Sequence, residues 1–379
     1  MVAALTLGGV LTSTGHHAEH SPATAAAGSP RSDASKAGSP KAHSDQASLA
    51  PVPGSATRLL GQRIMVGMSG TVAPSWLLRA ARAGQVGSVI LFATNIVSRG
   101  QAVALTNALQ RAARAGGNPK LLIAVDQEGG EVKRIPSGPP TLSPPQMAAT
   151  NKVSVAGSQG RATGQFLKRW GINMDLAPVS DVPTFGGAFI WQQGRAFSFN
   201  AAKTANFATA FAQGLQSAGV AATGKHFPGL GSAPTDTDFR LQELHPTAVQ
   251  RAAALKPYER MIPRGLDAVL VALAGFPAYD RSGAPAALSR PIIQGVLRDK
   301  LHFRGVTLTD ALGAPTGHSQ RTAGVLAAIA GADILLYTNS APGELNALKG
   351  ALRSHKLSAA NADGAYRRII ALKSKLGLA

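Results

Sequence analysis

From about residue 58 onward, short apolar runs alternate with longer stretches in which Ala, Leu and Arg recur at helical spacing. The apolar runs are 63–69 (RIMVGMS), 87–93 (GSVILFA), 120–126 (KLLIAVD), 172–179 (INMDLAPV), 219–225 (GVAATGK), 268–275 (AVLVALAG), 305–310 (GVTLTD) and 332–337 (ADILLY). Between and after them the spacing predicts helices over 75–84, 101–115, 158–169, 201–217, 247–264, 290–300, 321–330 and 343–353. Strands that are apolar along their whole length, rather than alternating, fit a parallel sheet covered by helices. Eight β-then-α units over about 320 residues predict an α/β fold of the (β/α)8 TIM-barrel type, whose usual length is about 250 residues plus insertions. An open doubly wound sheet is the alternative. It calls for a glycine fingerprint after the first strand, which Gly67-Met68-Ser69-Gly70 does not supply.

The first 57 residues break this pattern. Residues 2–11 (VAALTLGGVL) are apolar but well short of the ~20 needed to span a bilayer. They resemble the hydrophobic part of a signal peptide without the basic region that should precede it; an ordinary flexible N-terminus is the other reading of residues 1–15. Residues 16–57 are rich in Ser, Ala, Pro, Gly and His, lack hydrophobic period, and read as a disordered spacer. His16, His17, His20 and His43 fall in it and read as solvated linker rather than metal ligands. The expected organisation is a signal-like or anchor segment at 1–15, a linker at 16–57 and a single barrel domain at 58–379. An apolar start, a tether and a globular body suggest export to the cell envelope.

Composition narrows the function classes. A 45% hydrophobic content is that of a chain burying a sizeable core. The absence of cysteine excludes a disulfide scaffold, a thiolate metal site, a Cys nucleophile and a lipid-anchored N-terminal Cys. The net charge of +19 would, alone, suggest a polyanionic partner. Residues 1–50 carry three bases and three acids, so the remaining 35 bases and 16 acids hold the whole excess. These bases are scattered singly along helix-like stretches, with no run of five and no aromatic-interleaved patch, which reads as a basic soluble surface rather than a nucleic-acid interface.

In a barrel, chemistry belongs at the C-terminal ends of the strands. Polar residues collect there: Asp126-Gln127-Glu128 after the third run, Asp181 after the fourth, Lys225-His226 after the fifth and Asp310 after the seventh. Any one of these aspartates could simply cap a following helix; the set points to a site built from several loops. No metal-ligand spacing appears, and no cofactor is implied.

At this point specific motifs become recognisable. Gly87-Ser88-Val89-Ile90-Leu91-Phe92 followed by Asn95-Ile96, the block Ala124-Val125-Asp126-Gln127-Glu128-Gly129-Gly130-Glu131-Val132-Lys133-Arg134, and Lys225-His226-Phe227-Pro228-Gly229 resemble the signatures of glycoside hydrolase family 3. Leu308-Thr309-Asp310 and Ala330-Gly331-Ala332-Asp333 occupy the seventh- and eighth-strand positions of the same pattern. The sequence looks most like the single-barrel β-N-acetylhexosaminidases that trim N-acetylglucosamine from peptidoglycan fragments. That resemblance implies a retaining mechanism through a covalent glycosyl-enzyme, with Asp310 at the nucleophile position. It places Asp126, Arg134, Arg195 (in Gly194-Arg195-Ala196-Phe197), Lys225 and His226 at sugar-binding positions. Charged groups of this kind grip sugar hydroxyls by charge-assisted hydrogen bonds. The competing readings are a helix-capping Asp126, a structural Asp–Arg ion pair and a core histidine. The implied partner is a muropeptide-like amino-sugar glycan, and on an exported protein the basic surface would add a screened attraction to anionic wall polymers.

The chain departs from the family pattern at three positions. The loop after the fifth strand should carry an Asp-Ser/Thr-His trio whose His protonates the leaving oxygen; here it reads Asp236-Thr237-Asp238. Leu230 stands where a His is expected in the Lys-His-Phe-Pro-Gly run, and the sixth-strand Ala-His pair reads Ala272-Leu273. Three readings follow: Asp238 serves as acid/base, its pKa raised by neighbouring carboxylates; the site takes a different β-glycoside, with Leu230 and Leu273 as an apolar wall; or catalysis is impaired and the barrel only binds glycan. Glu128 reads as a turn residue or one that supports the site residues from behind, ahead of a further carboxylate acting in the site. Glu243 and His245 read as a solvated helix entry or as substitutes for the lost acid. Trp191 reads as packing or as a sugar-stacking platform, and Asp175 and Asp181 as structural.

Overall fold

A computed structural model describes residues 54–337 and 342–379. The expected leader-like segment and all but the last four residues of the expected spacer lie outside the described residues. The body begins with a helix at Ala56–Gly61, two residues before its expected start.

Eight strands run parallel: β1 Ile64–Val66, β2 Ser88–Leu91, β3 Leu122–Val125, β4 Met174–Asp175, β5 Ala221–Phe227, β6 Ala268–Val271, β7 Val306–Thr309 and β8 Leu335–Tyr337. They pair in chain order, β8 pairs back onto β1 (Met65 opposite Leu336), and a bridge from Leu308 to Ile334 closes the circle. The result is the expected barrel. Period-2 geometry explains why its strands are apolar throughout. Met65, Ile90, Leu122, Ala124, Met174, Leu270, Leu308 and Leu336 fill the interior. Their neighbours Ile64, Val89, Leu91, Ile123, Val125, Val269, Val271 and Leu335 face the surrounding helices. Both faces are buried, so no polar alternation survives.

Helices at Ser75–Arg82, Arg99–Ala115, Val153–Arg169, Ala201–Ser217, Ala248–Met261, Gln320–Ala330 and Pro342–Arg353 form the outer layer, close to the expected spans. Several start on side chains that accept a backbone N–H, as Asn200 accepts from Lys203 and Thr247 from Gln250. The stretch Pro291–Lys300 winds as a π-helix rather than an α-helix. The fourth apolar run is regular strand only over Met174–Asp175, because Pro178 brings no N–H to the ladder and Val179 makes an isolated bridge to Lys225.

A last helix, Ala359–Lys375, lies outside the eight repeating units. Its Ile369 and Leu372 join the barrel-interior cluster. Its Lys373 is wholly buried and donates to Gln62 Oε1 at 2.6 Å and to the Gly87 carbonyl at 2.9 Å. Asp333, ahead of β8, accepts from Arg298 at 2.8 Å and from Arg368 at 2.7 Å. Gln62, Gly87 and Asp333 all precede strands, so these polar contacts brace the end of the barrel opposite the strand C-termini.

Candidate active site

The strand C-termini converge on one buried ionic cluster. Asp126 directly follows β3, and the chain then folds into a short hairpin, Gln127–Gly129 paired with Val132–Lys133, that carries Glu128 and leads to Arg134. Gly130 sits in this turn at φ +63°, where a Cβ would lie 2.4 Å from the Gly194 carbonyl, so only glycine lets the two loops approach. Lys225, within β5, reaches Asp126 Oδ1 at 2.7 Å and Glu128 Oε1 at 2.6 Å. Arg195 grips Glu128 at two points, Nε to Oε2 at 2.7 Å and Nη2 to Oε1 at 2.9 Å. Arg134 lies 3.4 Å from Asp126 Oδ2, its guanidinium 5.9 Å from the centre of the Phe92 ring. All but Arg134 are nearly excluded from solvent.

Burial alone would raise both carboxyls, but Lys225 and Arg134 hold Asp126 below the ordinary carboxylate range, and Arg195 and Lys225 do the same for Glu128. Burial likewise works against the Lys225 ammonium, and Asp126 and Glu128 overcome it to raise its pKa. The cluster is therefore fully charged and internally matched, with the partly exposed Arg134 at its edge. Asp175, whose Oδ1 accepts from the Gln127 N–H at 2.9 Å, is different: burial pushes its carboxyl up to about 8 and its Oδ2 has no partner.

His226 is held from behind. Its Nδ1 lies 2.7 Å from Asp181 Oδ2, and Asp181 also accepts from the Leu230 N–H at 2.6 Å. Its Nε2 lies 3.4 Å from Arg195 Nη2. Asp181 thus orients the His226 ring and closes the turn after β5, a more specific task than the structural role expected of it.

Asp310 follows β7 directly. Its N–H donates to the Val271 carbonyl at 3.0 Å, its Oδ1 accepts from the Ala311 N–H at 2.9 Å, and the residue is half-buried. The loop after β5 brings Asp236 and Asp238 to the same end. Asp236 Oδ1 accepts from the Asp238 N–H at 3.0 Å and its Oδ2 from Gln193 Nε2 at 3.2 Å. Partial burial pushes the Asp238 carboxyl up to about 6; the nearby Asp310 and Asp236 carboxylates add to this and His226 and Arg195 oppose it. The residue is open to solvent, which screens part of that push.

Other candidates resolve differently. Glu128 is no turn residue but the centre of the cluster. Glu243 and His245 pair with each other at 2.9 Å on the exposed surface. Trp191 packs against the core and lies against Phe199, ring centres 4.5 Å apart. Leu230 and Leu273 are each 1% exposed and belong to the core, so neither offers an apolar wall to a sugar. Sequence reasoning missed Gln193, which accepts from Arg195 Nη1 at 3.0 Å while donating to Asp236. Nothing in the sequence separates it from the adjacent Gln192.

A closed parallel barrel with carboxylates and cations gathered at its strand C-termini is compatible with glycoside hydrolysis among other chemistries, and the sequence comparisons single that class out. The glycosyl hydrolase family 3 N-terminal domain matches residues 72–372, and the chain belongs to that family. It is 35% identical over 335 residues to an uncharacterized secreted glycosyl hydrolase of Arthroderma benhamiae, covering 83% of this chain and 92% of that protein. It is 32% identical over 297 residues to a beta-hexosaminidase of Idiomarina loihiensis, covering 76% and 86%. Among solved structures, a beta-N-acetylhexosaminidase from Beutenbergia cavernae superposes with a TM-score of 0.78 at 30% identity, over 86% of this chain and 100% of that one. A family 3 beta-N-acetylglucosaminidase from Paenibacillus sp. gives 0.80 at 32% identity, over 85% of this chain and 62% of that longer one. The chain is therefore a single-barrel, hexosaminidase-like glycosidase of family 3.

Proposed function

We propose that the protein removes terminal β-linked N-acetylhexosamine from cell-wall glycans by a retaining mechanism, with Asp310 as nucleophile and Asp238 in place of the missing histidine. The observation that carries this reading is the placement of Asp238, on a loop that Asp236 and Gln193 hold at the strand C-termini, near enough to Asp310 for the two carboxylates to repel, which with partial burial pushes the Asp238 carboxyl up. An Asp310 carboxylate oxygen attacks the anomeric carbon as the bond to the leaving oxygen breaks, and the Asp238 proton passes to that oxygen. Asp238, now ionised, takes a proton from water; the water oxygen attacks the anomeric carbon and releases Asp310. Asp126, Arg134, Arg195, Lys225 and His226 hold the sugar. Arg134, the exposed member of the cluster, and Asp126 offer the donor and acceptor that adjacent hydroxyls need.

Export is supported by the apolar N-terminus and by the secreted relative. At the wall, the basic surface would retain the protein by attraction that added salt weakens; retention indifferent to salt would refute that part. The second reading, a barrel that binds glycan without turnover, rests on the replaced histidines at 230, 238 and 273. One experiment separates the two: incubation with chitobiose, whose leaving oxygen needs a proton, comparing wild type with Asp310→Ala and Asp238→Ala. Turnover lost in both variants supports catalysis. An inactive wild type that still binds muropeptide supports the binding reading.

A further inference from the structure

The loops after β3, β4 and β5 meet at one side chain. The Gln193 carbonyl accepts from the Glu131 N–H at 3.3 Å, fixing it to the hairpin after β3. Its own N–H donates to the Phe189 carbonyl at 3.0 Å, anchoring it within the segment after β4. Its side-chain amide then faces two ways, accepting from Arg195 Nη1 at 3.0 Å and donating to Asp236 Oδ2 at 3.2 Å. Because Asp236 Oδ1 holds the Asp238 N–H and Arg195 holds Glu128, an unbroken series of hydrogen bonds runs from Glu128 through Arg195, Gln193 and Asp236 to Asp238. An amide suits this place because it accepts from a cation and donates to a carboxylate at once. A carboxylate could do only the first, and an ammonium only the second.

We propose that Gln193 is a positioning residue that locks the Asp236–Asp238 loop onto the sugar-holding cluster and so sets where the acid sits. This rests on the reading in which Asp238 protonates the leaving oxygen. Among the described contacts of Asp236, only the one from Gln193 comes from outside its own loop. Without it, the base of the loop stays tied to the segment after β4 through the Phe189 N–H on the Ala233 carbonyl at 3.1 Å, but its Asp236–Asp238 tip loses its side-chain tether, and the Asp238 carboxyl moves away from Asp310 and toward water. The sugar-gripping ion pairs of Glu128 with Arg195 and Lys225 do not need Gln193 and stay in place.

The test compares Gln193→Leu, which removes both side-chain bonds, with Gln193→Glu, which keeps the acceptor for Arg195 but sets a carboxylate against Asp236. Two substrates are used with each: a 2,4-dinitrophenyl β-N-acetylglucosaminide, whose leaving group departs without a proton, and chitobiose, whose leaving group needs one. For chitobiose kcat is expected to fall ~10-fold or more in both variants, a fraction of the ~10²–10⁴ that acid catalysis supplies. For the dinitrophenyl substrate kcat/KM, which reports only the step that forms the glycosyl-enzyme, should change less than about threefold, and in Gln193→Leu the alkaline limb of the chitobiose pH profile should move to lower pH. Equal losses on both substrates, or no loss on chitobiose, would overturn the proposal. A second readout does not depend on turnover. Hydrogen exchange of the Asp238 amide should speed up ~10-fold or more in Gln193→Leu while the hairpin at 127–133 is unchanged, and unchanged exchange at Asp238 would overturn the proposal as well. An inactive wild type whose Asp238 amide is nonetheless loosened by Gln193→Leu would refute the enzymatic reading and leave the loop lock standing.

Discussion

Glu128 and Arg195 are joined at two points, 2.7 and 2.9 Å, and the same Glu128 receives Lys225 at 2.6 Å. One carboxylate thus matches two cations, one from the segment after β4 and one from strand β5, with almost no water present. Such a cluster contributes more to geometry than to stability, because desolvation offsets much of the attraction, yet breaking it leaves charge unpaired. Glu128→Gln should therefore cost about 3–5 kcal/mol of unfolding free energy. Since Arg195 and Lys225 would then be left partly free, KM for a hexosaminide should rise as well. Urea denaturation and steady-state kinetics check both, and a loss below about 1 kcal/mol would remove Glu128 from the centre of this account.

Asp238 predicts a pH profile. As the acid it must carry its proton when the glycosidic bond breaks, so kcat/KM should fall as pH rises through about 6. Asp238→Asn cannot release a proton. It should lose about 10²–10⁴ in rate on substrates with poor leaving groups and should lose this alkaline limb. Full activity with an unchanged limb in Asp238→Asn would assign the acid to another group.

The barrel was legible because its strands bury both faces, which writes unbroken apolar runs such as Val89-Ile90-Leu91 into the sequence. The helix at Ala201–Ser217 fell on its expected span because Asn200 caps it. Less regular features were not legible. The hairpin at 127–133 has two- and three-residue strands, too short for any period to register. The C-terminal helix plugs the barrel through Ile369 and Leu372, a long-range contact without a local signal. In the site, charged residue types at strand ends identified the cluster. The pairing of Glu128 with Arg195, the orienting of His226 by Asp181 and the bridging by Gln193 depend on which loops meet, and separations of 67, 45 and 43 residues hide that from the sequence.

Asp175 gives a stability prediction with a definite sign. In the unfolded chain it ionises near 3.8, whereas the folded protein keeps its proton up to about 8. Between those values the folded state binds more protons, so stability falls as pH rises from about 4 to 8. Asp175→Asn retains an oxygen to accept the Gln127 N–H but cannot ionise. The amide nitrogen takes the place of Oδ2, which has no partner among the described residues, so the slope rather than the absolute stability is the readout. Wild type should lose on the order of 3–4 kcal/mol more than the variant between pH 5 and 8 in urea titrations. Parallel curves would show that Asp175 ionises normally.

Lys373 predicts the opposite slope. It is wholly buried among neutral acceptors, Gln62 Oε1 and the Gly87 carbonyl, and burial lowers its pKa to about 7 from 10.5. From about pH 7 to 10.5 the unfolded chain binds the extra proton, so this residue makes stability increase with pH across that window, and its full burden is felt below pH 7. Surface lysines on a chain of net charge +19 also relieve repulsion as they titrate, but they do so near their ordinary range and their effect is screened by salt. A comparison at pH 7 and 9 in moderate salt therefore isolates Lys373. Lys373→Met fills the same space without a charge, though it strands two acceptors at about 1 kcal/mol or more each. Thermal unfolding of wild type should shift upward by several degrees between pH 7 and 9, and that shift should be largely lost in Lys373→Met. If both proteins shift alike, the lysine is charged in the folded protein, and the C-terminal helix seals the barrel without the neutral amine inferred from its burial.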